Sequence, residues 1–268
     1  MVAAAKLRKS QDRIMMMRPF AQKLNYLLQN LSSASSDGLE WYNANREEKK
    51  ILVVVITSDR GLCGGFNSSV IKYTNRLIQD NYSAQLKAGN ITVLPIGKKG
   101  YEFFVKRNVR VVDAYSNVFA DLSFERVAAV GDYIIETFKK GDYDKVEIVY
   151  NEFKNVATQI LRAEQMLPVI APKQQETKGQ DIDYIYQPNR EEIISGLIPK
   201  SLKMQLYKAV LDSNAAENGA RMTAMDKATE NAGELLKDLK LTYNRTRQAA
   251  ITKEILEIVA GAEALKSN

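Results

Sequence analysis

Apolar and small residues recur at alternating steps of three and four near both ends of the chain, the spacing that places them along one seam of a helix. The first seam consists of Ala3, Leu7, Ser10, Ile14, Met17, Ala21, Leu24, Leu28 and Leu31. The second lies between Lys200 and Leu265, a segment without proline, and consists of Leu211, Ala215, Asn218, Met222, Met225, Thr229, Ala232, Leu236, Leu239 and Tyr243. Two helices with matching seams are predicted to pair into a shaft.

The last helix is predicted to be unusually long. Its seam slips in phase after Tyr243 and restarts at Ile251, Ile255 and Ile258, as a stutter in a coiled coil does. At 1.5 Å per residue it would measure roughly 100 Å, so we expect much of it to project from any globular body. The first helix contains Pro19, which costs about 3 kcal/mol inside a helix and predicts a bend or an end there.

Between the two helices the pattern changes to short apolar runs. Lys50–Thr57 is a continuous β-branched run, typical of a strand buried on both faces of a parallel sheet. The glycine-rich turn Ser58–Phe66 follows, and Asn67 is predicted to cap a helix that ends near Gln79. Further strands are predicted at Ile91–Ile96, Val109–Val112, Lys145–Tyr150, Val156–Met166 and Asp183–Tyr186, helices at Lys98–Lys106 and Ser123–Lys139, and a polar loop at Pro172–Gln180. Since the last two strands are expected to be antiparallel, this region is predicted to be a small three-layer α/β domain with a mixed sheet.

Composition narrows the function classes. With 268 residues, 45% hydrophobic and 26% charged, the chain can bury one sizeable core and still supply an extended element. No apolar run reaches the length of a membrane span, and no secretory signal pattern is present. Cys63 is the single cysteine and histidine is absent, which excludes an internal disulfide and argues against metalloenzyme and triad chemistry. We expect no catalytic residue, cofactor or metal.

Positive charge is concentrated near the start of the chain. The net charge is +6, and residues 1–31 carry six basic side chains against Asp12 alone, a local balance of +5. One interpretation is attraction to an acidic protein surface, a phosphate backbone or an anionic lipid; the other is a solvated helix face. Aromatic residues do not interleave with these charges, which argues against nucleic acid binding.

The turn SDRGLCGGFN lies between a strand and a helix, the arrangement that phosphate-binding loops use. Its glycines, Gly61, Gly64 and Gly65, match neither G-x-G-x-x-G nor the P-loop pattern, so nucleotide binding is not favoured here. Cys63, close to Arg60 and a helix start, is a candidate nucleophile. Without a histidine or a second cysteine, a structural or contact role for this thiol is favoured over catalysis.

Six segments in one order, the last two of which overlap, carry a resemblance to a known family. The turn SDRGLCGGFN resembles the corresponding turn of the gamma subunits of F-type ATP synthases, and MVAAAKLRKSQDRI, RPFAQKL, ARMTAMDKAT and NRTRQAAIT resemble other segments of that family. The C-terminal ITKEILEIVAGAEA resembles the family's terminal signature, whose positions are matched by Ile251, Thr252, Glu254, Glu257, Gly261, Ala262 and Ala264.

This resemblance implies a rotor. In the family, the terminal helices form an antiparallel coiled coil inside a ring of alternating alpha and beta subunits, and a small Rossmann-like α/β domain with a mixed sheet rests on the c-subunit ring beside the epsilon subunit. The catalytic sites lie on the beta subunits. The fold expected here is therefore an antiparallel coiled coil of residues 1–35 and 197–268 with an α/β domain at residues 50–190. The resemblance places the chain peripherally on the cytoplasmic face of a bacterial inner membrane, rather than on the matrix side of a mitochondrial one.

The resemblance also implies subunit contacts. Arg60 and Cys63 lie in the turn that the family places near an acidic lever of a beta subunit, and Lys6, Arg8 and Lys9 match its basic stretch near the same surfaces. Arg247 and Gln248 match a pair that engages a loop of the beta subunit. The remaining matched positions, on the upper shaft facing the ring, are Thr252, Glu254 and Glu257. For the lysines, an ordinary solvated helix charge is an equally good interpretation.

Family members begin upstream of the position matched by Met1, with a further helical segment. A misplaced start codon is the explanation that we favour; a true truncation would leave Ile251, Ile255 and Ile258 without an intrachain partner and predicts weaker assembly.

Two other functions stay open. A Rossmann-type enzyme would need a phosphate loop and a carboxylate after the second strand, where Gly97 and two lysines stand instead. A coiled-coil scaffold or nucleic-acid binder would leave the α/β domain without a role.

Overall fold

The computed structural model describes residues 2–32, 42, 46–107, 109–156, 158–169 and 190–266. The elements in chain order are α1 (Val2–Ser32), β1 (Ile51–Ile56), α2 (Phe66–Asn81), α3 (Ser83–Lys87), β2 (Ile91–Ile96), α4 (Lys98–Phe104), β3 (Arg110–Val111), a 3₁₀ turn (Val118–Asp121), α5 (Phe124–Lys140), β4 (Lys145–Phe153), β5 (Gln159–Leu167) and α6 (Arg190–Lys266). The short α3 and the 3₁₀ turn were not predicted. The loop predicted at Pro172–Gln180 and the strand predicted at Asp183–Tyr186 lie outside the described residues.

The five strands form one mixed sheet in the order β3-β2-β1-β4-β5. The first four strands in this order are mutually parallel, and β5 pairs with β4 in antiparallel orientation. The mixed sheet predicted from the sequence is confirmed. β4 and β5 are both nine residues long, and β4 begins level with β1 because Lys145 pairs with Ile51, so only the turn end of this hairpin extends beyond the six-residue strand β1.

The central strand β1 is fully buried on both faces, as its uninterrupted apolar run predicts. Leu52, Val54 and Ile56 join one cluster with residues of α5 and α6, whereas Ile51, Val53 and Val55 join a second cluster. The second cluster contains Val70 and Ile78 of α2 and Phe104 of α4. The sheet therefore lies between two helical layers.

The helix α6 starts ten residues earlier than the predicted Lys200, at Arg190, and so contains Pro199. A proline inside a helix removes one backbone hydrogen bond. The residues on either side of it offset that loss by burial, because Ile198, Leu202 and Leu206 fall four residues apart and all lie in the core against the sheet.

Helix α1 buries the predicted seam. Leu7, Ser10, Ile14, Met17 and Leu24 are buried, whereas most described residues between them are exposed. The helix continues through Pro19 to Ser32, so it does not end at the proline. The side chains of the predicted seam residues Leu28, Leu31 and Leu265 lie outside the described part of the structure.

The chain divides into two units, Met1–Thr223 and Ala224–Asn268. The first unit contains the sheet, α1 and the part of α6 that packs on both. In the second unit every described side chain from Met225 onward is exposed, including the apolar side chains of Leu236, Leu239, Ile251, Ile255 and Ile258.

Candidate functional site

The turn between β1 and α2 (residues 58–65, called the β1–α2 turn below) is held by a small polar network. The Ser58 N–H donates to Asn67 Oδ1 at 2.9 Å, and the Ser58 hydroxyl donates to the Arg60 carbonyl at 2.6 Å. The Asn67 amide donates to Ser58 Oγ at 2.8 Å and to Cys63 Sγ at 3.3 Å. These contacts fold the turn back on the end of β1.

The prediction that Asn67 caps α2 is wrong. The helix begins at Phe66, and Gly65 occupies the N-cap without a side-chain hydrogen bond. Asn67 instead lies in the first helical turn and uses its amide on Ser58 and Cys63. A local sequence pattern identifies a good capping residue, but the tertiary position of β1 brought a competing partner within reach.

A second set of contacts attaches the β1–α2 turn to the neighbouring strand connection. The Lys98 N–H donates to Asp59 Oδ1 at 3.1 Å, and the Lys99 N–H donates to the Ser58 carbonyl at 3.1 Å. The close approach requires glycine, since a Cβ on Gly97, whose φ is 107°, would lie 2.1 Å from the Thr57 carbonyl oxygen. The first N–H groups of α4 thus serve the turn.

Cys63 lies in an apolar contact with the last helix. Its side chain is 2% exposed and shares a cluster with Phe66 and with Ala216 of α6, against which Phe153 and Ala220 also pack. This position fits the structural role that the sequence favoured for the thiol over the role of a nucleophile.

The β1–α2 turn is also clamped by a charged pair on α6. The Arg221 guanidinium donates to the carbonyl oxygens of Gly61 and Arg60, the latter at 3.4 Å. The same group donates to the Glu217 carboxylate one helical turn away. We call these contacts the Arg221 clamp. Sequence reasoning missed both residues because they read as an ordinary exposed i, i+4 pair.

The burial of Glu217 affects its ionisation. Desolvation raises the pKa of this carboxyl, and the Arg221 guanidinium opposes part of the rise; Asp59 raises the pKa further, and Lys6 lowers it. The basic start of α1 and the β1–α2 turn therefore act on one carboxylate. Of the predicted contact residues, the structure brings together Arg60 and Cys63, whose Sγ lies 3.8 Å from the Arg60 carbonyl oxygen.

The outer surface of the β1–α2 turn is exposed. Leu62 has a φ of 62° and its side chain is 77% exposed, and Arg60 and Gly61 are exposed as well. The left-handed region costs a non-glycine residue roughly 1–2 kcal/mol. The turn thus presents one apolar and one cationic side chain outward from a backbone whose neighbours are anchored.

The side chains of the basic stretch of α1 are exposed, in contrast to those of the seam. Lys6, Arg8 and Lys9 are exposed, whereas Ser10 is buried between the two helices. The Ser10 hydroxyl donates to Asn214 Oδ1 at 2.7 Å, and the Asn218 amide lies 3.5 Å from Ser10 Oγ. The flanking seam residues Leu7, Ile14 and Met17 share an apolar cluster with Leu211 and Ala215.

The other predicted contact residues lie in the second unit. Arg247, Gln248, Thr252, Glu254 and Glu257 are all exposed on α6. Glu257 receives a 3.7 Å ion pair from Lys253, a surface pair of little energetic weight. These five residues thus form part of the exposed surface of α6.

Among the described residues, no group of three or more acidic or cysteine side chains is placed to hold a metal ion. Within the same part of the chain, no helix is long and apolar enough to cross a membrane.

Comparison with known proteins places this architecture in a class. Over 85% of this chain and 96% of the other, the fold matches the central stalk of the Tetrahymena thermophila mitochondrial ATP synthase, with a TM-score of 0.59 and 26% identity. The rotor of the Euglena gracilis mitochondrial ATP synthase shares the fold, with a TM-score of 0.53 at 17% identity over 93% of this chain and 98% of the other. The structure is that of an ATP synthase central stalk.

Sequence comparison gives the particular family. A family profile described as ATP synthase matches residues 1–265. The ATP synthase gamma chain of Cytophaga hutchinsonii is 54% identical over 100% of this chain and 92% of its own length, and that of Flavobacterium johnsoniae is 54% identical over 99% and 91%. The chain belongs to the ATP synthase gamma chain family, which confirms the resemblance seen in the sequence.

Proposed function

We propose that this chain is the gamma subunit of an F-type, proton-translocating ATP synthase. It serves as the rotor of the central stalk and couples proton flow through the membrane sector to synthesis or hydrolysis of ATP. The observation that carries the proposal is the match along the entire chain, at 54% identity, to a protein named ATP synthase gamma chain.

In this proposal α1 and α6 wind into an antiparallel coiled coil, formed by residues 1–35 and 197–268, and residues 50–190 form the α/β domain. Support comes from the burial of the α1 seam and from the apolar cluster that joins Ile14 to Leu211. A long helix pair with little apolar area of its own needs a surrounding protein, which suits a shaft enclosed by other subunits.

The proposed partners are a ring of alternating alpha and beta subunits around the shaft, the epsilon subunit and the ring of c subunits. ATP is made or hydrolysed at sites on the beta subunits, and this chain supplies no catalytic residue and no cofactor site. The proposed contact residues are exposed or lie at an exposed turn: Lys6, Arg8, Lys9, Arg60, Cys63, Arg247, Gln248, Thr252, Glu254 and Glu257. The exposed cations suit an acidic partner surface.

The proposed location is the cytoplasmic face of a bacterial inner membrane, to which the chain is attached through the membrane sector of the complex. The bacterial setting is supported by the high identity to gamma chains from Cytophaga hutchinsonii and Flavobacterium johnsoniae.

The test is purification of the tagged chain from the membranes of its own host in mild detergent. We expect alpha, beta, epsilon and c subunits to copurify with ATPase activity. Recovery of the chain without those subunits would contradict the proposal.

A matched pair of variants separates a specific contact from general helix chemistry in the same purification. We expect Arg247→Ala combined with Gln248→Ala to lower the ATPase activity of the purified complex by roughly tenfold or more, since a charged hydrogen bond is worth about 1.5–3 kcal/mol. Arg245→Ala, which removes another exposed arginine of the same helix, is the control and should retain the activity. Equal activity in both variants would remove these two residues from the proposed contact set.

A further inference from the structure

The β1–α2 turn is anchored to α6 by the side chain of Arg221. Arg221 is separated from Gly61 by 160 positions in the chain, yet its guanidinium reaches the Gly61 and Arg60 carbonyls together. Its side chain is 20% exposed and that of Glu217 is 14% exposed, so the pair lies largely between the turn and the helix. Charged hydrogen bonds in such partly desolvated places are stronger than neutral ones.

The two carbonyls that Arg221 holds directly precede Leu62, the residue in the left-handed conformation. On the other side of Leu62, the buried Cys63 anchors the chain beside Ala216. Leu62 is therefore held on both sides. The Arg221 hydrogen bonds hold the residues before it, and the apolar contact of Cys63 holds the residue after it. A non-glycine residue keeps a positive φ only where its surroundings enforce it.

We propose that Arg221 is a positioning residue for the β1–α2 turn. Through the Arg221 clamp it holds the backbone of Arg60 and Gly61 against α6, and so sets how Arg60 and Leu62 face a partner. The Arg221 clamp is formed by residues of this chain alone. Its consequence for a partner rests on the proposed function, in which the turn contacts an acidic segment of a beta subunit.

Glu217 holds the guanidinium in place for this task. The carboxylate lies one helical turn from Arg221. It accepts a hydrogen bond from the guanidinium nitrogen that also donates to the Arg60 carbonyl. Lys6 and Asp59 are the other charged groups that act on Glu217. A planar guanidinium can serve several acceptors at once, which a lysine ammonium on a flexible stem does less well.

The alkylation rate of Cys63, the single cysteine of the chain, measures how often the turn opens and so tests the Arg221 clamp. Cys63 is buried under the turn, so its alkylation by iodoacetamide requires the turn to open. We expect Arg221→Ala to raise the alkylation rate of the purified full chain roughly tenfold or more, and Arg221→Lys to raise it by less. Arg245→Ala, on the exposed part of α6, should leave the rate at the wild-type value.

A loss of global stability would also expose Cys63, and urea distinguishes the two causes. Local opening of the turn exposes little surface, so the alkylation rate of Arg221→Ala should depend only weakly on urea below the unfolding transition. A wild-type alkylation rate in Arg221→Ala would overturn the proposal. A raised rate with the full urea dependence of global unfolding would overturn it equally.

The partner-dependent part is tested in the purified complex. We expect Arg221→Ala and Arg60→Ala to lower ATPase activity to a similar degree, and the double variant to show less than the product of the two effects. Additive effects would overturn the positioning role in the complex. Wild-type activity in Arg60→Ala would refute the turn contact of the proposed function, whereas the alkylation result on the free chain would still decide whether Arg221 holds the turn.

Discussion

At the scale of single residues, several buried polar groups have specific partners. The Tyr82 hydroxyl donates to Glu147 at 2.6 Å, and the Tyr150 hydroxyl donates to Glu164 at 2.7 Å. Burial is the main cause of the raised pKa of both tyrosines. Such hydroxyls stay protonated and act as hydrogen-bond donors that hold carboxylates next to the sheet.

Glu217 is a buried carboxyl whose ionisation costs stability. Because its pKa is raised, the folded chain binds its proton more tightly than the unfolded chain does. The contribution of Glu217 to the free energy of unfolding therefore falls as pH rises from the ordinary glutamate pKa through the raised one. We expect Glu217→Gln to gain stability relative to the wild type across that window, and the difference to shrink at lower pH.

This prediction is checked by urea unfolding of both proteins at pH values between 4 and 8. Glu234→Gln is a matched control, since Glu234 is exposed on the same helix, and its difference from wild type should not follow this pH course. A Glu217→Gln advantage that grows as pH falls would contradict the assignment of desolvation as the main cause.

At the scale of elements, the pairing of α1 with α6 combines an apolar seam with one polar layer. Ser10 and Asn218 are 5% and 6% exposed, and Asn214 joins them through hydrogen bonds. Polar groups buried in a helix interface cost stability unless each is paired, but they specify which residues face each other. We expect this layer to favour the register in which Ser10 faces Asn214 and Asn218.

Removing the serine hydroxyl tests that layer. We expect Ser10→Ala to lower the free energy of unfolding by about 1–2 kcal/mol, because Asn214 and Asn218 lose a buried partner. Met16→Ala, at a residue 80% exposed on the same helix, should change it by less than about 0.5 kcal/mol. Thermal and urea unfolding followed by circular dichroism give both values, and a Ser10→Ala protein as stable as the wild type would show that the layer carries no energy.

The sequence predicted most of the elements but not all of their limits. The apolar run of β1 and the seam of α1 report local energies, so their positions could be read from spacing alone. The start of α6 could not be predicted in this way. Pro199 disfavours a helix locally, but the packing of Ile198 and Leu202 in the core outweighs that cost. The prediction that Asn67 caps α2 was wrong because Ser58, at the end of β1, competed for the Asn67 side chain.

At the scale of the whole molecule, positive charge is concentrated in the first helix, α1. Residues 1–31 carry a net +5 within a chain of net +6. Long-range attraction from such a patch raises association rates with an acidic partner and weakens as salt shortens the screening length to roughly 8 Å at physiological ionic strength.

A pair of charge reversals tests this effect. We expect Arg8→Glu with Lys9→Glu to slow association with the purified alpha–beta complex by roughly tenfold or more at low salt, and the difference to shrink as salt rises. Lys72→Glu with Lys87→Glu makes the same change in net charge at exposed sites on α2 and α3 and should have a smaller effect. Equal slowing by the two pairs, measured by surface-bound kinetics, would assign the effect to net charge alone.

The sequence by itself determined the family, the mixed α/β class and the buried seam, because these depend on spacing between near neighbours and on motifs that stand in one order. Only the tertiary structure decided that the β1–α2 turn rests on α6. Arg221 and Gly61 are 160 positions apart, and no local periodicity relates them. Their contact follows from where the sheet places the end of β1 and where the core places α6, which is a property of the folded chain and not of any segment of it.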